Sequence, residues 1–225
     1  MSSLFHSAND VALFTQKKII ALQRAYISKG PQAANARASL AQLRRLGMPG
    51  GSSWISVGEN LFDGLLDLRL SKADEEKALR AITISLRLYA YHQQSKDHPM
   101  ALFSDSKEIN KSRHSFGWSC RNIEFDKDKS AGVRRRMAAM EGIRDIKDLE
   151  YHLRALIMLM RDKDVQVDYY LLTRDLFLLQ IPGARSDVFM RWGRDYFSAP
   201  AMKKMTDQPE MMSSEIKETE ATHVS

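Results

Sequence analysis

The sequence has little cysteine, no long apolar run and no recognisable leader segment. A single cysteine, Cys120, excludes an internal disulfide and favours a reducing compartment. No run of about 18 apolar residues occurs, so we expect no membrane span. The first ten residues lack a basic segment followed by an apolar one, which predicts that the protein carries no export signal and is cytoplasmic.

Acidic residues are absent from the 48 residues between Val11 and Gly58. The same window contains seven basic residues: Lys17, Lys18, Arg24, Lys29, Arg37, Arg44 and Arg45. A one-signed window of this length creates a positive field, and the commonest partner of such a field is a phosphate backbone. The chain has a net charge of +6, and its last 28 residues hold three Lys and five acids, so the preceding 197 residues carry +8. The composition therefore favours nucleic acid as a partner, with a solvated face as the alternative.

Signatures of catalysis and of metal binding are also missing. The six histidines show no zinc-ligand spacing, and one cysteine cannot build a Cys-rich site. The sequence contains no Walker loop, no G-x-S-x-G and no H-E-x-x-H. The carboxylate pairs Asp126/Asp128 and Asp162/Asp164 stand beside lysines in predicted loops, which is typical of solvated turns. We therefore expect a protein that is not an enzyme and that has no metal and no cofactor.

Apolar residues recur with helical spacing almost throughout, and no stretch alternates as a strand would. This pattern predicts an all-α fold of two small helical bundles, about five plus four helices, with a disordered C-terminal tail. The helices are expected at about 9–28, from Pro31 to about 46, within 57–70, and at 71–94, 112–123, 133–141, 146–161, 168–180 and 184–197. The polar stretch 96–111 is expected to be irregular. The segment 125–132 is the predicted boundary between bundles 1–125 and 126–198, and residues 199–225 form the predicted tail.

Three of these helices have candidate N-terminal caps. Asn9 or Asp10 is expected to cap the first helix. The fourth helix is expected to start at Ser71, with Asp74 and Glu75 suiting the positive end of its dipole. Asp145 and Asp164 are expected to cap two of the later helices.

The second helix carries the sharpest local signal. Arg37 and Arg44 stand seven residues apart and are therefore nearly eclipsed, with the small Ala41 between them and Arg45 beside them. Arginine binds phosphate through a bidentate fork, so this face suits a phosphate strand that approaches the helix closely. An ordinary amphipathic helix with solvated arginines explains the same pattern.

Two further helices present basic faces. Arg113, Gly117 and Arg121 share one side of the fifth helix, and the interior glycine predicts close approach of another backbone, either a nucleic-acid strand or a neighbouring helix. In the helix that begins near Ile146, three basic residues recur every seven positions: Lys147, Arg154 and Arg161. At a rise of 1.5 Å per residue they form a stripe with steps of roughly 10 Å, which fits a phosphate track as well as a solvated face.

Three consecutive arginines open the sixth helix: Arg134, Arg135 and Arg136. They lie at the positive end of the helix dipole, where cations are unfavourable by a few tenths of a kcal/mol each. An anionic partner would relieve that repulsion. Salt bridges to Asp126, Asp128 or Glu141 are the alternative.

Six short motifs follow one another along the chain. They are Ala36-x-x-x-Leu-Ala-x-Leu-Arg-Arg45, Phe116-Gly-x-x-x-Arg121, Arg135-Arg136, Leu153-Arg-Ala-Leu156, Leu171-Leu-x-Arg174 and Trp192-Gly-Arg-Asp-Tyr-Phe197. In this order, on a basic helical chain, they resemble the CasB family, the small subunit of type I-E CRISPR Cascade complexes. The resemblance covers about residues 10–198. The polar stretch 96–111 and the long tail depart from the compact members of that family.

The resemblance implies two helical bundles without catalytic activity. It also implies membership of an antiviral ribonucleoprotein complex, in which two copies lie beside the subunits that hold the CRISPR RNA. There they would contact the target DNA strand and the displaced non-target strand of the R-loop, away from any membrane. The partners implied are therefore CRISPR RNA, both DNA strands, the other Cascade subunits and a second copy of the chain.

The resemblance implies that the arginines of its motifs contact nucleic acid: Arg44, Arg45, Arg121, Arg135, Arg136, Arg154 and Arg174. The basic helix faces alone add Arg37, Arg113, Arg134, Lys147 and Arg161. All twelve are candidate nucleic-acid contacts.

Two other functions fit the same basic helical chain. A helix-turn-helix regulator would use the helix pair around Gly30 and Pro31, although its Ala-rich second helix is poorly suited to reading bases. A protein-interaction scaffold would instead use the basic faces to meet acidic partner surfaces.

Overall fold

The protein is built almost entirely of helices. We describe it from a computed structural model that covers residues 2–103, 114–124, 126 and 129–198. In this part of the chain the helices are α1 Ser2–Ile27, α2 Gln32–Arg45, α3 Gly58–Leu61, α4 Lys72–His92, α5 Phe116–Arg121, α6 Ala131–Gly142, α7 Ile146–Asp162, α8 Tyr169–Leu178 and α9 Pro182–Ser198, with a 3-10 helix at Leu65–Leu68. The predicted all-α class, with five helices followed by four, is confirmed. The predicted tail and residues 104–111 of the predicted irregular stretch lie outside the described residues.

Two short strands are an addition to the predicted fold. Strand β1, Ala101–Leu102, pairs in parallel with strand β2, Val167–Asp168. Gln23 of α1 holds β1 from its other side, since the Ala101 N–H donates to Gln23 Oε1 at 2.9 Å and Gln23 Nε2 donates to the Ala101 carbonyl at 3.3 Å. Strands of two residues are too short to produce an alternating pattern, so the sequence could not predict them.

Helix α1 begins earlier than its predicted caps. It starts at Ser2, and Asn9 and Asp10 lie within it. Ala8 and Val11 are both fully buried, so the apolar face extends back beyond the expected start. Asp10 pairs with His6 one turn earlier at 3.4 Å instead of capping the helix.

The predicted cap at Asp145 is confirmed, since its Oδ1 accepts the Lys147 N–H at 2.6 Å. The fourth helix begins after Ser71 as predicted, and Ser71 Oγ caps it by accepting the Asp74 N–H at 3.2 Å. The third predicted helix is divided into α3 and the 3-10 helix. Gly64 stands between them with φ +75°, a left-handed conformation that ends one helix and redirects the chain.

The predicted cap at Asp164 is wrong. Asp164 has φ +56° and closes α7 rather than opening α8. Its N–H donates to the Arg161 carbonyl at 3.3 Å, and the Val165 N–H donates to the Met160 carbonyl at 2.9 Å. This pair of bonds is the Schellman arrangement that ends helices. The cap of α8 is Asp168, whose carboxylate accepts the Leu171 N–H at 3.0 Å.

The core is continuous across both groups of helices. Helix α1 packs against α8, α2 and α4, helix α4 also packs against α7 and α8, and α5 packs against α9. The largest fully buried side chains come from both sides of the predicted boundary: Tyr89, Phe116, Tyr169, Phe177 and Trp192. The division at 125–132 into separately folding bundles stays a prediction, and the contacts of α1 with α8 and of α5 with α9 join the two groups.

None of the helices in the described ranges combines the length and the apolar character needed to cross a bilayer.

Candidate nucleic-acid interface

Basic residues from α2 and α7 meet around one tyrosine of α4. We call this group the Tyr91 cluster and define it as Arg44, Arg45, Arg154 and Arg161 around Tyr91. The Arg154 guanidinium lies over the Tyr91 ring, 4.1 Å from its centroid. The Tyr91 hydroxyl donates to the Arg44 carbonyl at 2.9 Å. One aromatic side chain of α4 therefore ties the C-terminal end of α2 to the middle of α7.

Arg44 is held in place while it keeps its charge. Its Nη1 donates to the Ala90 carbonyl at 3.0 Å, and the side chain is half-buried. Burial lowers the pKa of Arg44, and the positive charges of Arg45 and Arg161 lower it further, while Tyr26 and Tyr91 oppose these effects. Arginine remains protonated in proteins, so Arg44 keeps its charge at a partly desolvated position, where an anion would stabilise it.

A further arginine outside the Tyr91 cluster lies nearer the N-terminal end of α2. Arg37 is exposed, and its guanidinium lies 5.6 Å from the centroid of the Tyr26 ring. The Tyr26 hydroxyl in turn accepts the Ser95 N–H at 3.2 Å. Arg37 lies seven residues before Arg44, about 10 Å along the helix axis. Arg37 of α2 thus rests on a tyrosine from α1, and the backbone of Arg44 is bonded to a tyrosine from α4.

The remaining members of the cluster differ in exposure. Arg45 is exposed, whereas Arg161 is half-buried and pairs with the neighbouring Asp162 at 3.2 Å. Lys147 is exposed at the first turn of α7, two turns before Arg154. The predicted α7 stripe therefore exists, and two of its three members join the Tyr91 cluster.

The arginines of α6 form a second basic group. Arg135 and Arg136 are exposed, and Arg136 Nη1 donates to the Gly132 carbonyl at 3.4 Å. Arg134 is half-buried and donates to Ser130 Oγ at 2.5 Å. Of the acids that were expected to pair with them, Asp126 contacts Lys129 at 3.4 Å, and Asp128 lies outside the described residues.

Arg121 and Arg174 lie in different surroundings. Arg121 is only 8% exposed and donates to the Glu124 carbonyl at 2.7 Å, in the chain that leaves α5. Arg174 lies with Nε 3.7 Å from a carboxylate oxygen of the buried Asp175. The structure does not bring these two residues into the Tyr91 cluster. Arg113 lies outside the described residues.

The glycine of the fifth helix is explained by a neighbouring helix. A Cβ added to Gly117 would lie 1.9 Å from the Trp192 carbonyl oxygen and 2.7 Å from its Cα. The close approach predicted from the sequence is therefore the crossing of α5 and α9. Asp175, a residue of α8, binds α9 at this crossing. Its carboxylate accepts the Trp192 Nε1–H at 2.7 Å and pairs with Arg191.

A polar network borders the cluster where α7 ends. Asp164 accepts from Lys96 Nζ at 2.5 Å and from His98 Nε2 at 3.1 Å. The hydrogen bond from Lys96 holds the pKa of Asp164 below its usual range. His92 lies beneath, fully buried. Burial lowers the pKa of His92 to about 3, so the ring is neutral.

Sequence reasoning missed Tyr91 and Tyr26, the side chains that hold the arginines. Tyr91 contacts Arg44 and Arg154, which lie 47 and 63 residues away in the chain. No local pattern signals a pairing over such distances. The only available signal was the position of an aromatic residue in the last turn of a predicted helix.

The described residues contain no group of three or more His, Cys, Asp or Glu side chains arranged to hold a metal ion. The described carboxylates among those singled out in the sequence pair with neighbouring cations, and Asp126 contacts Lys129. Asp162 pairs with Arg161, and Asp164 pairs with Lys96 and His98.

Known proteins resemble this chain in sequence and in fold. The sequence model of the family described as CRISPR-associated protein Cse2 matches residues 39–197. The crystal structure of CasB from Thermobifida fusca is similar at 26% identity with a TM-score of 0.67, over 83% of this chain and 97% of that one. The crystal structure of M. ruber CasB is similar in fold, at 22% identity with a TM-score of 0.52, over 80% and 92% of the two chains. A comparison with curated proteins finds no match.

Proposed function

Because the chain belongs to the CRISPR-associated Cse2 (CasB) family, we propose that it is the small subunit of a type I-E Cascade complex. In this role it is not an enzyme. It binds the phosphate backbone of nucleic acid without reading bases, and it stabilises the R-loop by holding the target strand and the displaced strand. Its partners are the CRISPR RNA, the two DNA strands, the other subunits and a second copy of itself.

The observation that carries this proposal is the Tyr91 cluster. Arg44 uses one N–H on the Ala90 carbonyl, and a guanidinium has five N–H groups, so donors remain for a phosphate. Arg154 is fixed against the Tyr91 ring. Because both cations are positioned in advance, less conformational entropy is lost when they bind an anion.

The energetics of R-loop formation fit such a surface. The RNA–DNA duplex that forms is about as stable as the DNA duplex that it replaces, so the exchange is nearly balanced. A few phosphate contacts of roughly 1 kcal/mol each therefore suffice to shift it. These contacts need no base readout, because pairing with the guide supplies the sequence specificity.

The test is DNA binding by the reconstituted complex across a range of salt concentrations. We expect Arg45→Gln/Arg154→Gln to weaken target binding about tenfold or more, equally for unrelated guide and target pairs. Each lost phosphate contact also reduces the slope of log affinity against log salt by about one. Thermal unfolding of the variant shows whether the fold is intact.

The matched control removes the same charge elsewhere. Lys72 and Arg80 are exposed near the start of α4, outside the cluster, so Lys72→Gln/Arg80→Gln should leave the salt slope nearly unchanged. Equal losses in both variants would mean that only net charge matters. A loss confined to one target sequence would contradict backbone binding and favour a helix-turn-helix reader.

A further inference from the structure

Four large apolar side chains are exposed between α2 and α4, and we call them the apolar patch: Trp54, Ile55, Phe62 and Leu66. Ile55 is 90% exposed, Leu66 86% and Trp54 54%. The rings of Trp54 and Phe62 contact each other, with centroids 6.4 Å apart. Exposed large apolar side chains concentrated in one short segment mark a place that another surface covers.

The segment that carries the patch is fixed to the core by other residues. Val57 and Leu61 are fully buried and Leu65 nearly so. Lys18 of α1 donates through Nζ to the Glu59 carbonyl at 3.1 Å and also lies over the Phe14 ring. Since the inward side chains anchor the segment, the outward Ile55 and Leu66 are not needed to fold it.

The segment between α2 and α4 carries three acids against one basic residue, Arg69, and Lys18 of α1 lies near Glu59 and Asp63. Glu59, Asp63 and Asp67 are exposed here and are the first acids after the acid-free window. Carboxylates repel phosphate, so this surface is unsuited to a nucleic-acid backbone. Apolar side chains with a tryptophan among them are typical of the buried centre of protein interfaces, and charges at the rim select a partner of opposite sign.

We propose that the apolar patch, with Glu59, Asp63 and Asp67 at its rim, is a protein-docking surface. Its occupant is an apolar face rimmed by lysine or arginine on another subunit of the complex, so the inference rests on the proposed function. The chain then uses separate surfaces for its two kinds of partner, the Tyr91 cluster for phosphate and the apolar patch for protein.

The experiment reconstitutes the complex from the purified full-length chain, the other Cascade subunits and CRISPR RNA. Native mass spectrometry measures the fraction of complexes that contain the chain at a series of chain concentrations. For Ile55→Ser/Leu66→Ser we expect incorporation to need at least tenfold more protein, with unchanged thermal unfolding and unchanged DNA binding by the free chain. Met190→Ser, which alters an exposed apolar residue of α9, is the control expected to assemble normally.

A charge reversal tests the rim independently of the apolar residues. Asp67→Lys should weaken incorporation severalfold at low salt, with the difference shrinking as salt screens the interaction. Asp187→Lys makes the same charge change at an exposed position of α9 and should have no such effect. Free DNA binding should be equal or tighter in both variants.

The outcomes separate this inference from the function on which it rests. Normal incorporation of the serine variant would overturn the docking surface and leave the proposed function standing. Weaker DNA binding by the free serine variant would show that the patch contacts nucleic acid and would overturn the protein assignment. If the wild-type chain does not join the complex, the proposed function fails and this inference fails with it.

Discussion

At the residue scale, the arginines of this protein differ in what holds them. Arg44 and Arg154 are fixed by Ala90 and Tyr91, whereas Arg121 is buried against the Glu124 carbonyl. In the sequence, all three appear as basic residues at helical spacing. Periodicity identifies the face of a helix, but it does not tell whether a neighbouring element covers that face.

The buried His92 makes stability depend on pH. Its Nε2–H donates to the Val165 carbonyl at 3.0 Å, and Nδ1 accepts the Tyr169 hydroxyl at 3.2 Å, so the neutral ring is fully satisfied. The pKa of His92 is lowered to about 3 in the folded chain, against an ordinary value of about 6.5 when unfolded. The unfolded chain therefore binds an extra proton between these values, and His92 makes the fold less stable as pH falls through this window.

Urea unfolding measured from pH 7 to pH 4 checks this expectation. For the wild type, His92 should contribute a slope that approaches about 1.4 kcal/mol per pH unit. The slope should be flatter by that amount in His92→Gln. If His92→Gln does not fold, NMR titration of the wild-type ring decides the question. A His92 ring that titrates near its ordinary pKa in the folded protein would contradict the prediction.

At the scale of elements, the crossing of α5 and α9 depends on a single missing side chain. Gly117→Ala places a Cβ against the backbone of Trp192, which cannot move aside as a flexible side chain could. We expect a loss of about 1–3 kcal/mol in the free energy of unfolding, the range found when well-packed regions are overfilled. Thermal and urea unfolding of the variant measure it.

Gly193 in the same region is the matched control. A Cβ there meets nothing within 4 Å, and Gly193 lies inside α9. Gly193→Ala should therefore stabilise the protein by about 0.5–1 kcal/mol, because alanine favours the helix. Equal effects at the two positions would show that the α5–α9 crossing is looser than its geometry indicates.

The helices themselves were largely predictable from the sequence. Seven of the predicted helix regions each contain one observed helix of similar position, because apolar periodicity and caps such as Asp145 are local. The failures lie at helix ends, where the surroundings decide the boundary. Asp164 is followed by an apparent helix start, but the left-handed turn that it adopts is set by the end of α7. The early start of α1 depends on its burial against other helices.

At the scale of the whole molecule, the packing favours cooperative unfolding. Helix α1 from the first group lies against α8 from the second, and the Tyr170 hydroxyl donates to Asn9 Oδ1 at 3.2 Å between them. Removing either group would expose the buried face of the other. We expect one calorimetric transition, with equal van't Hoff and calorimetric enthalpies. Two separate transitions would instead support bundles that fold on their own.

The candidate interface was predictable in composition but not in arrangement. Charge counting and the family resemblance pointed to Arg44, Arg45 and Arg154, and the structure places Arg44 and Arg154 against Tyr91, with Arg45 beside Arg44. The tyrosine contacts depend on how α2, α4 and α7 pack, which is information that a single sequence does not carry. The twelve candidate contacts remain predictions until the salt-dependent binding has been measured.

The lone thiol of Cys120 has a practical consequence. It is 1% exposed, and burial raises its pKa well above the usual range, so thiolate is scarce in the native fold. A maleimide reagent therefore reacts with this position only when the fold opens locally or globally. The rate of labelling at Cys120 thus measures how often the unmodified chain opens. A second cysteine introduced on the surface can accept a fluorophore under native conditions with little background, without first replacing Cys120.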